Sequence, residues 1–120
     1  MPKYVDGFVI PVPEKNLKAY TRMASQAAAV WREHGALEYR ESVGEDLSPP
    51  FAQPFPRGIR ARRGETIVFA WILYRSRAHR DKVNARVMKD PRIAALCNPA
   101  TLPFDADRML YGGFKVIVEA

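Results

Sequence analysis

The chain has 120 residues, 48% hydrophobic and 27% charged, the size and composition of one ordinary globular domain. A single cysteine, Cys97, excludes an intrachain disulfide and a multi-cysteine zinc site, and no apolar run approaches the roughly 20 residues of a membrane span. The formal net charge of +6 is concentrated in residues 57–92, which carry eleven Lys and Arg against three Asp and Glu.

The start, MPKYVDGFVIPVPEKN, is interrupted by Lys3, Asp6, Pro11 and Pro13. That is unlike a secretory or transit leader, and the expected location is the cytoplasm. Residues 3–10 predict a strand with apolar side chains on both faces, Tyr4, Phe8 and Ile10 against Val5 and Val9. Val12-Pro13-Glu14 then predicts a helix start, with Asn16 as an alternative cap. Leu17, Tyr20, Ala24, Ala27, Trp31 and His34 follow at steps of three and four, one stripe of a helix that Gly35 would stop.

Residues 36–44 alternate as a half-buried strand that carries one charge, Glu41, on its apolar side with Leu37, Tyr39 and Val43. Residues 45–64 hold four prolines and two glycines and predict a long loop or arm, with a short β-ribbon near Phe55 and Ile59. Residues 65–74, ETIVFAWILY, predict a strand covered on both sides. Ser76 would cap a helix to about Lys89, Asp90-Pro91 would end it, and PRIAALC would add a short helix in which Cys97 is a small core residue. After a second loop at 98–109, residues 110–118 predict the last strand, with Gly112-Gly113 marking a bulge or close backbone approach.

The order β-α-β-β-α-β is the ferredoxin-like α+β arrangement, a four-stranded antiparallel sheet in a single domain. It puts the first and third strands in the middle, and those are the two with apolar residues on both faces. Two helices cover only one face, so the other would expose Trp71 or Ile72 and predicts a homodimer.

On the 76–89 helix, Lys82, Arg86 and Lys89 form a wet side opposite Val83 and Val87, with His79 at its border. Arg80 instead lies on the apolar side between the valines, with Asn84 beside it. A cation there needs an anion or several acceptors, and Asp6 or Glu41 could supply one. Two readings stand open: a buried salt bridge, or a pocket between helix and sheet in which Arg80 and Asn84 hold a small anionic or carbonyl-bearing ligand. The candidate ligand-binding set is Tyr39, Glu41, Trp71, His79, Arg80 and Asn84, with Trp71 stacking and Arg80 stabilising negative charge on oxygen.

His34 and His79 have no metal-ligand spacing, and neither metal nor cofactor is expected. The basic 57–92 region makes weak RNA binding a third reading, disfavoured because the aromatics follow core patterns. A non-enzymatic structural or stress-related dimer is the alternative.

The segments DGFVIPVPEKNL (6–17), HGALEYRE (34–41), SRAHRDKVNARVMKDPR (76–92) and PFDADRMLYGGF (103–114) together resemble the YbaA-like family of conserved hypothetical bacterial proteins. The matching positions include Asp6, His34, Tyr39, Glu41, His79, Arg80, Asn84, Asp105 and Arg108. The resemblance implies the dimeric α/β-barrel form of the ferredoxin-like fold. That superfamily includes cofactor-independent monooxygenases, haem-degrading enzymes and stress-responsive proteins. An enzyme of this kind would be a monooxygenase-like oxidoreductase, but the family has no agreed function and carries no catalytic residue over.

Overall fold

In the computed structural model, which describes residues 1–120, strand β1 spans Tyr4–Pro13 and helix α1 Leu17–Glu33. Strand β2 (Glu38–Val43), a helical turn α2 (Phe55–Gly58) and strand β3 (Glu65–Tyr74) follow. Helices α3 (Arg77–Met88) and α4 (Pro91–Leu96) and strand β4 (Leu110–Lys115) complete the chain. The four strands are antiparallel in the order β2-β3-β1-β4, the ferredoxin-like topology.

The alternation along β3 shows which face the helices cover. Val68, Ala70, Ile72 and Tyr74 are buried, whereas Phe69 is half exposed and Trp71 and Leu73 are partly covered. Tyr20, Ala24, Ala27 and Val30 of α1 and Val83 and Val87 of α3 pack on the buried row. Register puts Val5, Gly7 and Val9, then Leu110, Gly112 and Phe114, on the same open face as Trp71. Of the two residues that were alternatives for that face, Trp71 is the one there; Ile72 belongs to the helix-side core.

β1 is longer than its pattern predicted. It runs through Pro11 and Pro13 because its ladder to β4 stops at Val9↔Leu110, and a strand with one free side tolerates proline. The predicted helix start at Pro13 is therefore corrected: a single 3-10 turn, Glu14–Asn16, intervenes. Asn16 does not cap α1; its amide donates to the Pro103 carbonyl at 3.0 Å. Gly35, at φ +115°, stops α1 in the left-handed region that glycine adopts without strain. Ser76 caps α3, accepting from the His79 N–H at 3.1 Å.

The ribbon expected near Phe55 is a helical turn instead, since Pro54 leads into it and Pro56 fits a first turn, where no N–H is needed. Arg108 anchors this loop by a bond to the Arg60 carbonyl at 3.0 Å and an ion pair with Glu65. Cys97 is exposed rather than in the core, because α4 turns only Ile93 fully inward. No helix is long and apolar enough to cross a membrane.

The end of α1 is tied to α4 by His34 Nε2 to Asp90 at 2.8 Å and by Arg92 between Asp90 and Glu33. The hydrogen bond from Arg92, then that from His34, holds the Asp90 carboxyl well below the usual carboxylate range. A depressed folded-state value means that this contribution is complete above the unfolded value of about 4 and fades as pH falls below it. The stability gap between the wild type and Asp90→Asn is therefore expected to narrow between neutral pH and roughly pH 3, in urea titrations at each pH. A gap unchanged over that range would count against the ion pair.

Ile72 is 2% exposed and central to the larger core. Ile72→Ala is expected to lower the unfolding free energy by about 2–5 kcal/mol, against under about 0.5 kcal/mol for the exposed Lys82→Ala. Chemical denaturation of both variants checks the assignment of the buried face.

Candidate functional site

The polar residues on the helix side of the sheet fall into two groups. The first is built on Asp6, 1% exposed on the central strand β1. Arg80 of α3 meets it at 2.7 Å, and the Asn84 amide donates to its other oxygen at 3.2 Å. The spacing of four along α3 aims both side chains at one carboxylate. The Asn84 carbonyl oxygen accepts from Trp31 Nε1 at 3.1 Å and from the Tyr74 hydroxyl at 3.0 Å. Arg80 also donates to Tyr111 at 3.0 Å and to Asp81 at 2.8 Å, and its guanidinium lies 4.9 Å from the Tyr4 ring centre.

This group is closed. No buried side-chain nitrogen or oxygen in the molecule lacks a partner. Burial, and then the Asp6 charge, pushes the Tyr74 hydroxyl above its usual value, so it stays a donor to Asn84. Of the two readings of Arg80, the structure contains the salt bridge, with Asp6 rather than Glu41 as the anion.

The second group lies where α1 passes the edge strand β2. Both Tyr20 and Tyr39 donate their hydroxyls to Glu41, the latter at 2.7 Å to the second carboxylate oxygen. Burial first, then the Glu41 charge, raises both phenols, which keeps them protonated as donors. These three side chains line a cleft of about 390 Å³. Leu17, Ala24, Ala28, Val43 and Val68 supply its apolar wall, and Thr21, Ser25 and Ser42 add hydroxyl-bearing residues. The cleft exists because β2 is an outer strand, so α1 has no further strand to close against. None of the chain's ion pairs includes Glu41.

The expected set is thus divided. Tyr39 and Glu41 share the cleft, and Arg80 and Asn84 share the closed network. Trp71 lies on the opposite face of the sheet, under the Arg40 guanidinium at 5.9 Å. His79 stands at the start of α3, where its Nδ1 accepts from the Arg75 N–H at 3.0 Å. Burial, then the charges of Arg75, Arg86 and Lys82, lowers its pKa and favours the neutral ring that such an acceptor requires. Tyr20 was not in the expected set. Its place in the apolar stripe of α1 read as core, and the only signal was a hydroxyl at the same end of the sheet as Glu41.

A family model described as a protein of unknown function (DUF1428) matches residues 3–106. The chain is 40% identical over 117 residues to the uncharacterized protein YbaA of Escherichia coli (strain K12), covering 98% of each. It has the same identity and coverage with the uncharacterized protein YbaA of Shigella flexneri. Among solved structures it is similar to a dimeric ferredoxin-like protein from an uncultured marine organism, at 12% identity over 100% of both chains and a TM-score of 0.64. It is also similar to a NIPSNAP family protein of unknown function from Agrobacterium tumefaciens, at 13% identity and a TM-score of 0.59. That match covers 96% of this chain and 88% of the other. At such identities the likeness shows the fold.

Removing one partner of the buried pair strands the other. Asp6→Ala is expected to cost about 3–5 kcal/mol, and Asp6→Leu with Arg80→Met together to restore most of it. Urea denaturation of the single and double variants reads this out. A single variant costing under about 1 kcal/mol would show the network to be incidental.

Proposed function

Proceeding from a chain that belongs to the DUF1428 family, we propose that it is a small-ligand-binding protein acting as a homodimer. The ligand would occupy the cleft between α1 and β2. The observation that carries this is the cleft itself: a mostly apolar hollow into which Glu41 and two phenols converge. Its volume falls in the range of about 300–1,000 Å³ typical of ligand pockets. The reading departs from a site at Arg80, because Arg80 already has its anion inside the chain.

The dimer would be joined through the open sheet face. Phe69, Leu110 and Phe114 are 47%, 56% and 60% exposed there, beside Trp71. A contiguous apolar face flanked by the polar β2 residues Glu38, Arg40 and Ser42 suits a self-complementary partner. The dimeric solved relative has the same fold, which supports the reading. An exposed, unpaired Cys97 suits the reducing cytoplasm.

A structural or stress-related dimer that binds nothing is favoured by one observation, the closure of the Arg80 network. Weak RNA binding draws less support. Arg80 and Arg92, in the basic region, are engaged with the chain's own carboxylates, and Tyr74 of the same region is fully buried.

Two measurements test the proposal. Sedimentation at micromolar concentration is expected to show a dimer, and Phe69→Lys with Phe114→Lys a monomer; a monomeric wild type removes the dimer. Fragment screening by amide chemical shifts is expected to move resonances of Leu17, Ala28 and Val43, and Ala28→Trp, which fills the cleft, to abolish those shifts. Fragment shifts confined to other surfaces, or unchanged in Ala28→Trp, would leave the ligand-free dimer as the better account.

A further inference from the structure

Resting on the cleft being a ligand site, we infer that its ligand carries a protonated amine. The charge arrangement around Glu41 is the reason. Its carboxylate takes one phenol on each oxygen, and no Lys, Arg or His lies within ion-pair distance. A carboxylate has about four acceptor positions, so two hydroxyl donors leave capacity unused. The other polar side chains of the cleft, Thr21 and Ser25, are neutral hydroxyls, and Ser42 borders it with its side chain on the open face. The site therefore has one formal negative charge, neutral hydroxyls whose hydrogens are already donated within the chain, and an apolar wall.

A ligand that fills the cleft strips water from Glu41 and must replace what it removes. An anion or a bare carbonyl cannot, because it brings only lone pairs against lone pairs. A neutral hydroxyl supplies one donor. An ammonium group supplies three donors and the missing charge, and hydrogen bonds between charged groups are about twice as strong as neutral ones. The apolar wall would take a hydrocarbon or aromatic body. The ligand class is thus a small hydrophobic amine.

The long-range field makes the preference diagnostic. The chain carries a net charge of +6, so non-specific attraction favours anions. A cation preferred over a neutral molecule of the same shape would have to owe that preference to a local group.

The test uses the full chain with phenethylamine, phenethyl alcohol and phenylacetate, three probes of similar shape and different charge, titrated at neutral pH with amide shifts at Leu17, Ala28 and Val43 as the readout. The amine is expected to bind about tenfold more tightly than the alcohol, and phenylacetate more weakly than either. Glu41→Gln is expected to erase the amine's advantage, the amine losing far more affinity than the alcohol. Tyr39→Phe removes a hydroxyl but keeps the charge and is expected to keep the preference for the amine, which separates the role of the charge from any loss of structure. Alcohol and amine binding equally would overturn the amine assignment while the cleft reading stands. A preference for phenylacetate would do the same. If none of the three moves the cleft resonances, both fall.

Discussion

A carboxylate buried on the central strand is the constraint around which this fold is arranged. Asp6 sits at 1% exposure between β3 and β4 and faces the helices. An unpaired charge there would be far too costly, so α3 must deliver a cation, and Arg80 does so at 2.7 Å. That requirement fixes the rotation of α3 about its axis. With Arg80 inward, Val83, Asn84 and Val87 must also face the sheet, and Lys82, Arg86 and Lys89 must face water. Asn84 then links α1 and β3 to the same carboxylate through Trp31 and Tyr74. One charge thereby orients both major helices on the sheet.

The second constraint is arithmetic of coverage. Two long helices span one face of four strands, and they centre on β1 and β3, where the deepest residues lie. What remains is an uncovered face and two outer strands. The uncovered face carries the aromatic side chains of Phe69, Trp71 and Phe114, and the outer strand β2 leaves the gap that becomes the cleft. The proposed interface and the proposed ligand site are thus consequences of the same packing, one on each side of the sheet.

Strand order, the existence of one uncovered face and the inward Arg80 were legible because each rests on periodicity, and periodicity survives folding; which of Trp71 and Ile72 that face carries was not, because both rows of β3 are apolar. Central strands with apolar residues on both faces could only be β1 and β3. The Ser76 cap and the Gly35 stop were legible because each is a local backbone requirement. The failures share a different origin. Pro11 and Pro13 read as a strand end, and their tolerance depends on where β4 stops, which is a non-local fact. The helical turn at Phe55–Gly58 was hidden by proline density, although proline suits a first turn. Cys97 looked like core because α4 is too short to show which side it buries. The division of the site was also hidden: pattern reasoning placed Glu41 and Arg80 on facing surfaces but could not measure their distance across the sheet.

Asp6 and Glu41 illustrate why residue type does not settle role. Both are carboxylates on helix-facing positions of the sheet, among aromatic neighbours. Asp6 lies on a strand paired on both sides, beneath a helix whose four-residue spacing supplies a cation and an amide. Its charge is met within the chain and serves to hold the fold. Glu41 lies on a strand with one free side, beneath the helix that ends the covered region, and α1 supplies only a phenol there. The charge of one is closed by the fold itself, whereas that of the other faces a hollow with no cation, in a molecule whose excess of cations lies elsewhere on its surface. A carboxylate that the fold leaves without a cation, beside a space large enough for a small molecule, is the feature of this structure that packing alone does not account for.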